Sequence, residues 1–446
     1  MNPRFAVSIA LAAAACGRSE LAAPSPADAV IDVASDAATS PPSTDSAPAT
    51  DSARDGPPDV LADFSDDFAI DSADVRSCPW GGFAPPVTYA ADPGPRAIAF
   101  ADFNGDGALD LVVAAWGEPL PSSTTNGFAD VYLNEGKGAF AARVSYATDP
   151  EALTVVAGDF NGDGLADFVV GTNSPTLDVF ANQGDGAFGS IARATTTDIP
   201  LAITVGDFRR IGRLDLAMTS DNGWIGVLAG RGDGTFGAPV TYATGLQPDS
   251  IAIGDVNGDG FDDIVATNTS WQCLPPDSVC PPAGTGWGTV NVWTNQGNGV
   301  FAPQVSYVAG IGAASVALGD FNGDGAPDIA VGNNMDNTLG VFVNAGHGDF
   351  GAQVTYANAG GGVLAADFTG DGHVDIAVIA GSIQDATGVL MLFANAGDGT
   401  FGAPVTYAIE GDPRAQIVAD LNGDGLPDIA FVTANNTVGV WLSTCK

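Results

Sequence analysis

Lysine is nearly missing from this chain. It stands only at Lys137 and Lys446 in 446 residues, and all basic residues together number 14 against 53 acidic ones. A net charge of −39 excludes a nucleic-acid partner, because binding phosphates needs Lys and Arg to neutralise them. Histidine is almost as scarce. His347 and His373 have no repeating His or Cys partner, so zinc is not expected. No Ser-His-Asp constellation stands out, nor any non-repeating cluster of acid, base and nucleophile. The composition therefore points away from catalysis. Amphipathic helical periodicity is also hard to find. Gly, Val, Thr, Tyr and Phe are plentiful instead, in short apolar runs broken by Gly, Asn and Asp, which is the pattern of an all-β chain.

The N-terminus reads separately from the rest. MNPRFAVSIALAAAACG has one basic residue followed by an apolar run from Phe5 to Ala15. That run is too short to span a bilayer as a helix and reads as a secretory signal over residues 1–15. Its Ala-Ala-Ala-Cys ending resembles a bacterial lipobox, although Ala13 stands where that motif usually has Leu. The resemblance implies that Cys16 becomes the lipidated first residue of the mature chain. Membrane contact would then be through the lipid alone, at the bacterial outer membrane or cell surface. Otherwise the chain is secreted or periplasmic. Residues 16–76 are rich in Ala, Ser, Pro and Asp, with little to bury, and read as a disordered, self-repelling tether. The remaining cysteines are Cys78, Cys273, Cys280 and Cys445. Cys273 and Cys280 share one Pro-rich insertion and are expected to form a local bridge. That leaves Cys78 to pair with Cys445, as suits an exported protein.

Residues 77–446 are built on a repeat. DFNGDGALDLVV begins at Asp102, and variants begin at Asp159, Asp207, Asp255, Asp320, Asp367 and Asp420, at intervals of 57, 48, 48, 65, 47 and 53 residues. A sustained period near 50 indicates a solenoid or propeller architecture. A second phrase alternates with the first. GDGTFGAPVTYA occurs at Gly397–Ala408 and again at Gly232–Ala243, and looser copies occur at Gly136, Gly184, Gly297 and Gly346. A half copy, GGFAPPVTYA, lies at Gly81–Ala90.

In the first phrase, oxygen-bearing side chains fall at loop positions 1, 3, 5 and 9, and the carbonyl at position 7 can join them. Asn-Gly and Asp-Gly allow the tight bend that brings these groups together. Hard oxygen donors in such an array suit Ca²⁺ better than Mg²⁺. An EF-hand would need Glu at position 12, where the first copy has Val113. The candidate ligands are Asp102, Asn104, Asp106, Ala108 and Asp110 in the first copy, and Asp159, Asn161, Asp163, Leu165 and Asp167 in the second. Next come Asp255, Asn257, Asp259, Phe261 and Asp263, and then Asp320, Asn322, Asp324, Ala326 and Asp328. The last two sets are Asp367, Thr369, Asp371, His373 and Asp375, and Asp420, Asn422, Asp424, Leu426 and Asp428. The loop at Asp207 keeps Asp215 but has Arg209 and Ile211 at positions 3 and 5. It is expected to hold no calcium; either Arg209 or Arg213 replaces the ion as an internal cation facing Asp207 and Asp215, or both arginines point into solvent.

The paired phrases resemble FG-GAP (VCBS-type) repeats, as found in the integrin α-subunit propeller. Phe236-Gly237-Ala238-Pro239 and Phe401-Gly402-Ala403-Pro404 carry the signature. The resemblance implies an all-β, seven-bladed propeller with four antiparallel strands per blade and calcium loops between the first two strands of most blades. The last blade would have only three strands of its own. GGFAPPVTYA would complete it and close the ring, placing Cys78 and Cys445 beside the same interrupted turn. FGAPVTYA is then an outer strand whose Val, Phe and Tyr pack against the neighbouring blade.

Arg231-Gly232-Asp233 spells an adhesion tripeptide, but Arg231 merely fills the variable position of the x-Gly-Asp-Gly turn. The insertions after Trp116 and Asn268 lie on the face opposite the calcium loops, which makes Trp116, Trp271 and Trp287 candidate contacts for a glycan or protein ligand. The expected function is a non-catalytic, calcium-binding recognition or adhesion module on the cell surface that binds a glycan or protein, and some members of the resembled family are lectins or adhesion receptors. The alternative is a hydrolase or lyase that uses the central channel.

Overall fold

The structure, a computed structural model, describes residues 80–117, 127–245, 247–269, 287–382 and 387–445. Cys16, the 16–76 segment, Cys78, Trp271, Cys273 and Cys280 lie outside them, as do the side chains of Trp287 and Cys445.

Seven four-stranded antiparallel sheets follow one another along the chain. In blade one the strands are Pro95–Ala101, Asp110–Ala115, Gly127–Tyr132 and Val144–Thr148, hydrogen-bonded in that order. Blades two to six repeat this order. The first strands of neighbouring blades touch around the ring, with Pro413–Ala419 of blade seven against Pro95–Ala101 of blade one.

Each strand's composition matches its place. The innermost strands carry small residues, as in PRAIAFA, because seven strands crowd one axis. The second strands, such as DLVVAA and DIVATN, are buried throughout because a neighbouring blade covers each face. The apolar interior is not one core. It is seven clusters, each shared by two adjacent blades.

Blade seven is completed as expected. Val87–Ala90 pairs with Thr437–Trp441, with Tyr89 opposite Val438. The half copy is not one strand, however. Trp80–Phe83 pairs instead with Ser443–Cys445, so the last blade carries an extra short sheet. Pro85 and Pro86 cannot donate to a ladder, and they separate the two pairings. Both termini of the ring are thereby held, and the open edge that a three-stranded last blade would leave is filled.

The outer strands differ from expectation in one respect. Tyrosine does pack on the next blade, but the valine two residues earlier does not. Val87 is 51% exposed, and Val144, Val240, Val305, Val354 and Val405 resemble it. The junction is made by the tyrosine and the FG-GAP phenylalanine. Tyr89 meets Phe140 edge-on at 5.7 Å, Tyr146 meets Phe188 at 5.6 Å, and Tyr242 meets Phe301 at 5.6 Å. The same pairing joins Tyr307 to Phe350, Tyr356 to Phe401 and Tyr407 to Phe83. In five of these pairs the phenylalanine N–H also donates to the tyrosine hydroxyl, at 3.1 to 3.4 Å.

Removing one such ring tests this arrangement. Tyr242→Ala is expected to cost about 2–3 kcal/mol in denaturant unfolding, whereas Val240→Ala on the same strand should stay within about 0.5 kcal/mol. Equal effects would mean that the tyrosine does not carry the junction.

Candidate metal loops and the blade junctions

Each acidic loop links the first strand of a blade to the second. Glycine makes the bend possible. Gly105 and Gly107 sit at φ 74° and 85°, a region that other residues enter only with strain. Asp102 collects the loop's amides: Gly105 N–H and Asp106 N–H donate to its Oδ1 at 2.7 and 3.2 Å, and Gly107 N–H donates to Oδ2 at 2.8 Å. Asn104 Oδ1 accepts from Asp106 N–H, and Asp106 Oδ1 accepts from Ala108 N–H. The loops at Asp159, Asp255, Asp320 and Asp420 repeat this arrangement of amides around the position 1, 3 and 5 side chains.

The ninth position is different in kind. Asp110 has no exposed surface. Its Oδ2 accepts from Phe103 N–H at 2.8 Å, and its Oδ1 accepts from Asn134 N–H at 2.6 Å. It therefore ties the loop to the end of the third strand. Asp167, Asp263, Asp328, Asp375 and Asp428 do the same in their blades. In the loop at Asp367 the amide donor is Thr369, one residue later than elsewhere. Burial pushes the Asp110 carboxyl up to about 6, the two amides oppose this, and the charges of Asp106 and Asp102 add to it. Asp263 and Asp428 are pushed up to about 7 by the same causes. The carboxylates at positions 1, 5 and 9 are thus close enough to repel one another. Among the described residues, no three His, Cys, Asp or Glu side chains are drawn together closely enough to hold a metal ion as they stand.

A residue type that sequence reasoning passed over completes the network. A buried asparagine ends the third strand in five blades. Asn134 Nδ2 donates to Leu109 O of its own blade at 3.0 Å and to Leu421 O of blade seven at 2.8 Å. Asn182 reaches Ala166 O and Phe103 O in the same way. Asn295, Asn344 and Asn395 likewise bridge to Phe208 O, Val256 O and Phe321 O of the preceding blade. The signal was an Asn standing two residues before the second glycine-flanked turn, as in LNEGKG, ANQGDG and VNAGHG.

The loop at Asp207 shows what happens when the ligand pattern is lost. Arg209 reaches into the blade and forms a two-point ion pair with buried Asp215, Nε to Oδ2 at 3.0 Å and Nη2 to Oδ1 at 2.6 Å. Nη2 also donates to Gly230 O at 2.6 Å. Gly230 occupies the asparagine's place in this blade, so Arg209 fills part of that gap as well. Asp207 faces no arginine here and accepts from Ile211 and Gly212 N–H. Arg213 instead runs alongside Gly232. Of the two arginines expected as replacements, Arg209 is the one in place, and it faces one aspartate, not both.

An FG-GAP-like repeat model matches residues 122–170, 159–218, 207–266, 279–331, 320–378 and 367–431, and an FG-GAP repeat model matches residues 94–133. The chain is an FG-GAP repeat protein. No curated protein matches its sequence. Among solved structures, this FG-GAP propeller is similar to BBS1N in complex with ARL6DN. The mercury-soaked crystal gives a TM-score of 0.52 at 12% identity, covering 82% of this chain and 97% of that one. The lead-soaked crystal gives 0.50 at 13% with the same coverage. A structure described as recognition of non-reducing terminal N-acetylglucosamine by an Agrocybe aegerita lectin scores 0.46 at 18% identity, covering 74% of this chain and 91% of that one. At these identities the BBS1N likeness is one of fold.

Of the three candidate tryptophans, Trp116 is the one whose side chain lies among the described residues. Trp116 is half-buried, and the Arg96 guanidinium lies over its ring at 4.9 Å. The backbone of Trp287 pairs with Ile311 at the start of a third strand. Among the described residues the exposed tryptophan is Trp224, 42% exposed, just after the tight turn at Asp221–Gly223 on the same face. It escaped sequence reasoning because it sits in a short hairpin, not in an insertion. Asp233 of the Arg-Gly-Asp tripeptide accepts from Thr235 N–H and from its hydroxyl, as expected of a turn residue.

Three substitutions check this network. Asn182→Ala strands the buried carbonyls of Phe103 and Ala166 and is expected to cost roughly 2–4 kcal/mol. Arg209→Ala leaves Asp215 buried without its partner and is expected to cost about 3 kcal/mol, while Arg213→Ala should change stability by less than about 0.5 kcal/mol. Urea denaturation measures all three.

Proposed function

We propose that this FG-GAP propeller is a non-catalytic recognition module, exported and displayed on a cell surface, whose six intact acidic loops bind calcium. The observation that carries the calcium reading is Arg209. In the one loop that has lost its ligands at positions 3 and 5, the protein supplies a cation of its own to the buried ninth-position aspartate. The other six loops keep the repelling carboxylates and have no such arginine in the sequence at these positions. A divalent cation with hard oxygen preference suits that donor set. Asp102, Asn104, Asp106 and Asp110, with the Ala108 carbonyl, would hold it in blade one, and each oxygen bound to an amide keeps a second lone pair for a cation. When bound, the ion supplies charge neutralisation and no reaction chemistry.

Ligand recognition falls to the face opposite these loops. Trp224 and Met335, both exposed there at hairpins between second and third strands, offer apolar contact. Aromatic faces stack on sugars and on peptide side chains, so a glycan or a protein is the expected partner. The lipobox-like Cys16 and the acidic 16–76 segment support display at a distance from a membrane.

Two measurements test these proposals. In the six intact loops, burial raises the ninth-position carboxyls from the ordinary 3.8 to about 6 to 7. Their contribution to stability is therefore fully present below 3.8 and is lost as pH rises from there to 6 to 7. In EDTA the melting temperature should fall across that window, and calcium should reverse the fall, with about six ions bound per chain in calorimetry; a melt indifferent to calcium at pH 7.5 refutes the ion reading. On a glycan array, calcium-dependent binding that is lost in Trp224→Ala identifies a lectin-like receptor. Silence on the array directs the search to protein partners.

A further inference from the structure

Blade two lacks the tyrosine that every other blade offers to its successor. Its outer strand reads FGSIARAT, and the register of the sheet places Ala194 where Tyr146 stands in blade one: Ala194 is opposite Leu177, as Tyr146 is opposite Ala129. Leu177 does not compensate, because Tyr356 and Tyr407 coexist with leucines at the same register. At the junction with blade three, a cleft of about 550 Å³ opens, lined by Ala192, Ala194, Phe236, Ala238 and Pro239, with Arg231 at its edge. Phe236 keeps its contact with Phe160 at 5.7 Å. Its counterparts Phe140, Phe188, Phe301, Phe350 and Phe401 also meet a tyrosine ring and donate their N–H to its hydroxyl. Phe236 has no tyrosine to meet.

The position of this cleft specifies its occupant. Six equivalent positions around the ring are filled by a p-hydroxyphenyl ring, edge-on to a phenylalanine. We propose that the cleft between blades two and three binds a small p-hydroxyphenyl compound from solution, its ring against Phe236 and its oxygen accepting the Phe236 N–H. Apolar cavities formed by side-chain loss take up aromatic molecules of matching size, and the hydroxyl satisfies the amide that the lost tyrosine would have met. This inference does not depend on calcium or on a ligand at the opposite face.

Fluorine NMR of 4-fluorophenol with the full chain, calcium present, is the test. Saturable line broadening that 4-methylphenol competes away is expected, with fluorobenzene roughly 5-fold weaker because it lacks the hydroxyl. Ala194→Tyr restores the repeat and should abolish the broadening while raising the melting temperature. Ala194→Leu, which fills the cleft without a hydroxyl, should abolish it too, so a misfolded tyrosine variant leaves the test intact. Broadening that persists in either folded variant places binding elsewhere and overturns the proposal, as does its absence in the wild-type chain. Tighter binding of N-acetyl-tyrosinamide than of 4-methylphenol would assign the cleft to a protein tyrosine and overturn the small-molecule reading.

Discussion

The rest of the propeller depends on a carboxylate that no solvent reaches. In six loops the ninth-position aspartate accepts one amide from its own loop and one from the end of the third strand. Those two bonds set the loop's shape and fix where the third strand stops. The strand's end in turn places the asparagine that clamps the preceding blade. A buried carboxylate is costly unless its oxygens are satisfied. The network exists to satisfy them, and in blade three an arginine takes over part of that task.

The seven blades then hold one another through repeated contacts, not through a common centre. Each junction has a small apolar cluster, six of the seven add a phenylalanine–tyrosine edge contact, and five add an asparagine bridge. No blade buries its faces alone, so ring closure matters more than any single sheet. The chain answers this by folding its first strands onto its last blade, where Tyr89 makes the same contact with Phe140 that the other outer-strand tyrosines make with their own phenylalanines.

Departures from the repeat are the informative places. Blade three lost its loop ligands and its asparagine together, and Arg209 meets both losses through Asp215 and Gly230. Blade two lost its tyrosine, and among the described residues no other side chain fills that place, which leaves a cleft. Trp224 breaks the pattern on the opposite face, where repeats impose little because hairpins there are free to vary.

Sequence alone determined the architecture. Asp, Asn and Gly at fixed spacing, and Phe and Tyr at another, leave few ways to fold when they recur seven times, because each copy must find the same environment. It also determined that the half copy at Gly81–Ala90 belongs to the last blade. Tertiary structure decided what lies between distant positions. Asn134 and Leu421 meet although 287 residues separate them, and no local pattern names a backbone carbonyl as a partner. That Arg209 and not Arg213 enters the blade, and that Trp116 lies under Arg96, follow from where loops pack after the ring has closed. A side chain's periodicity tells which face it occupies; what waits on that face is set by the neighbouring blade.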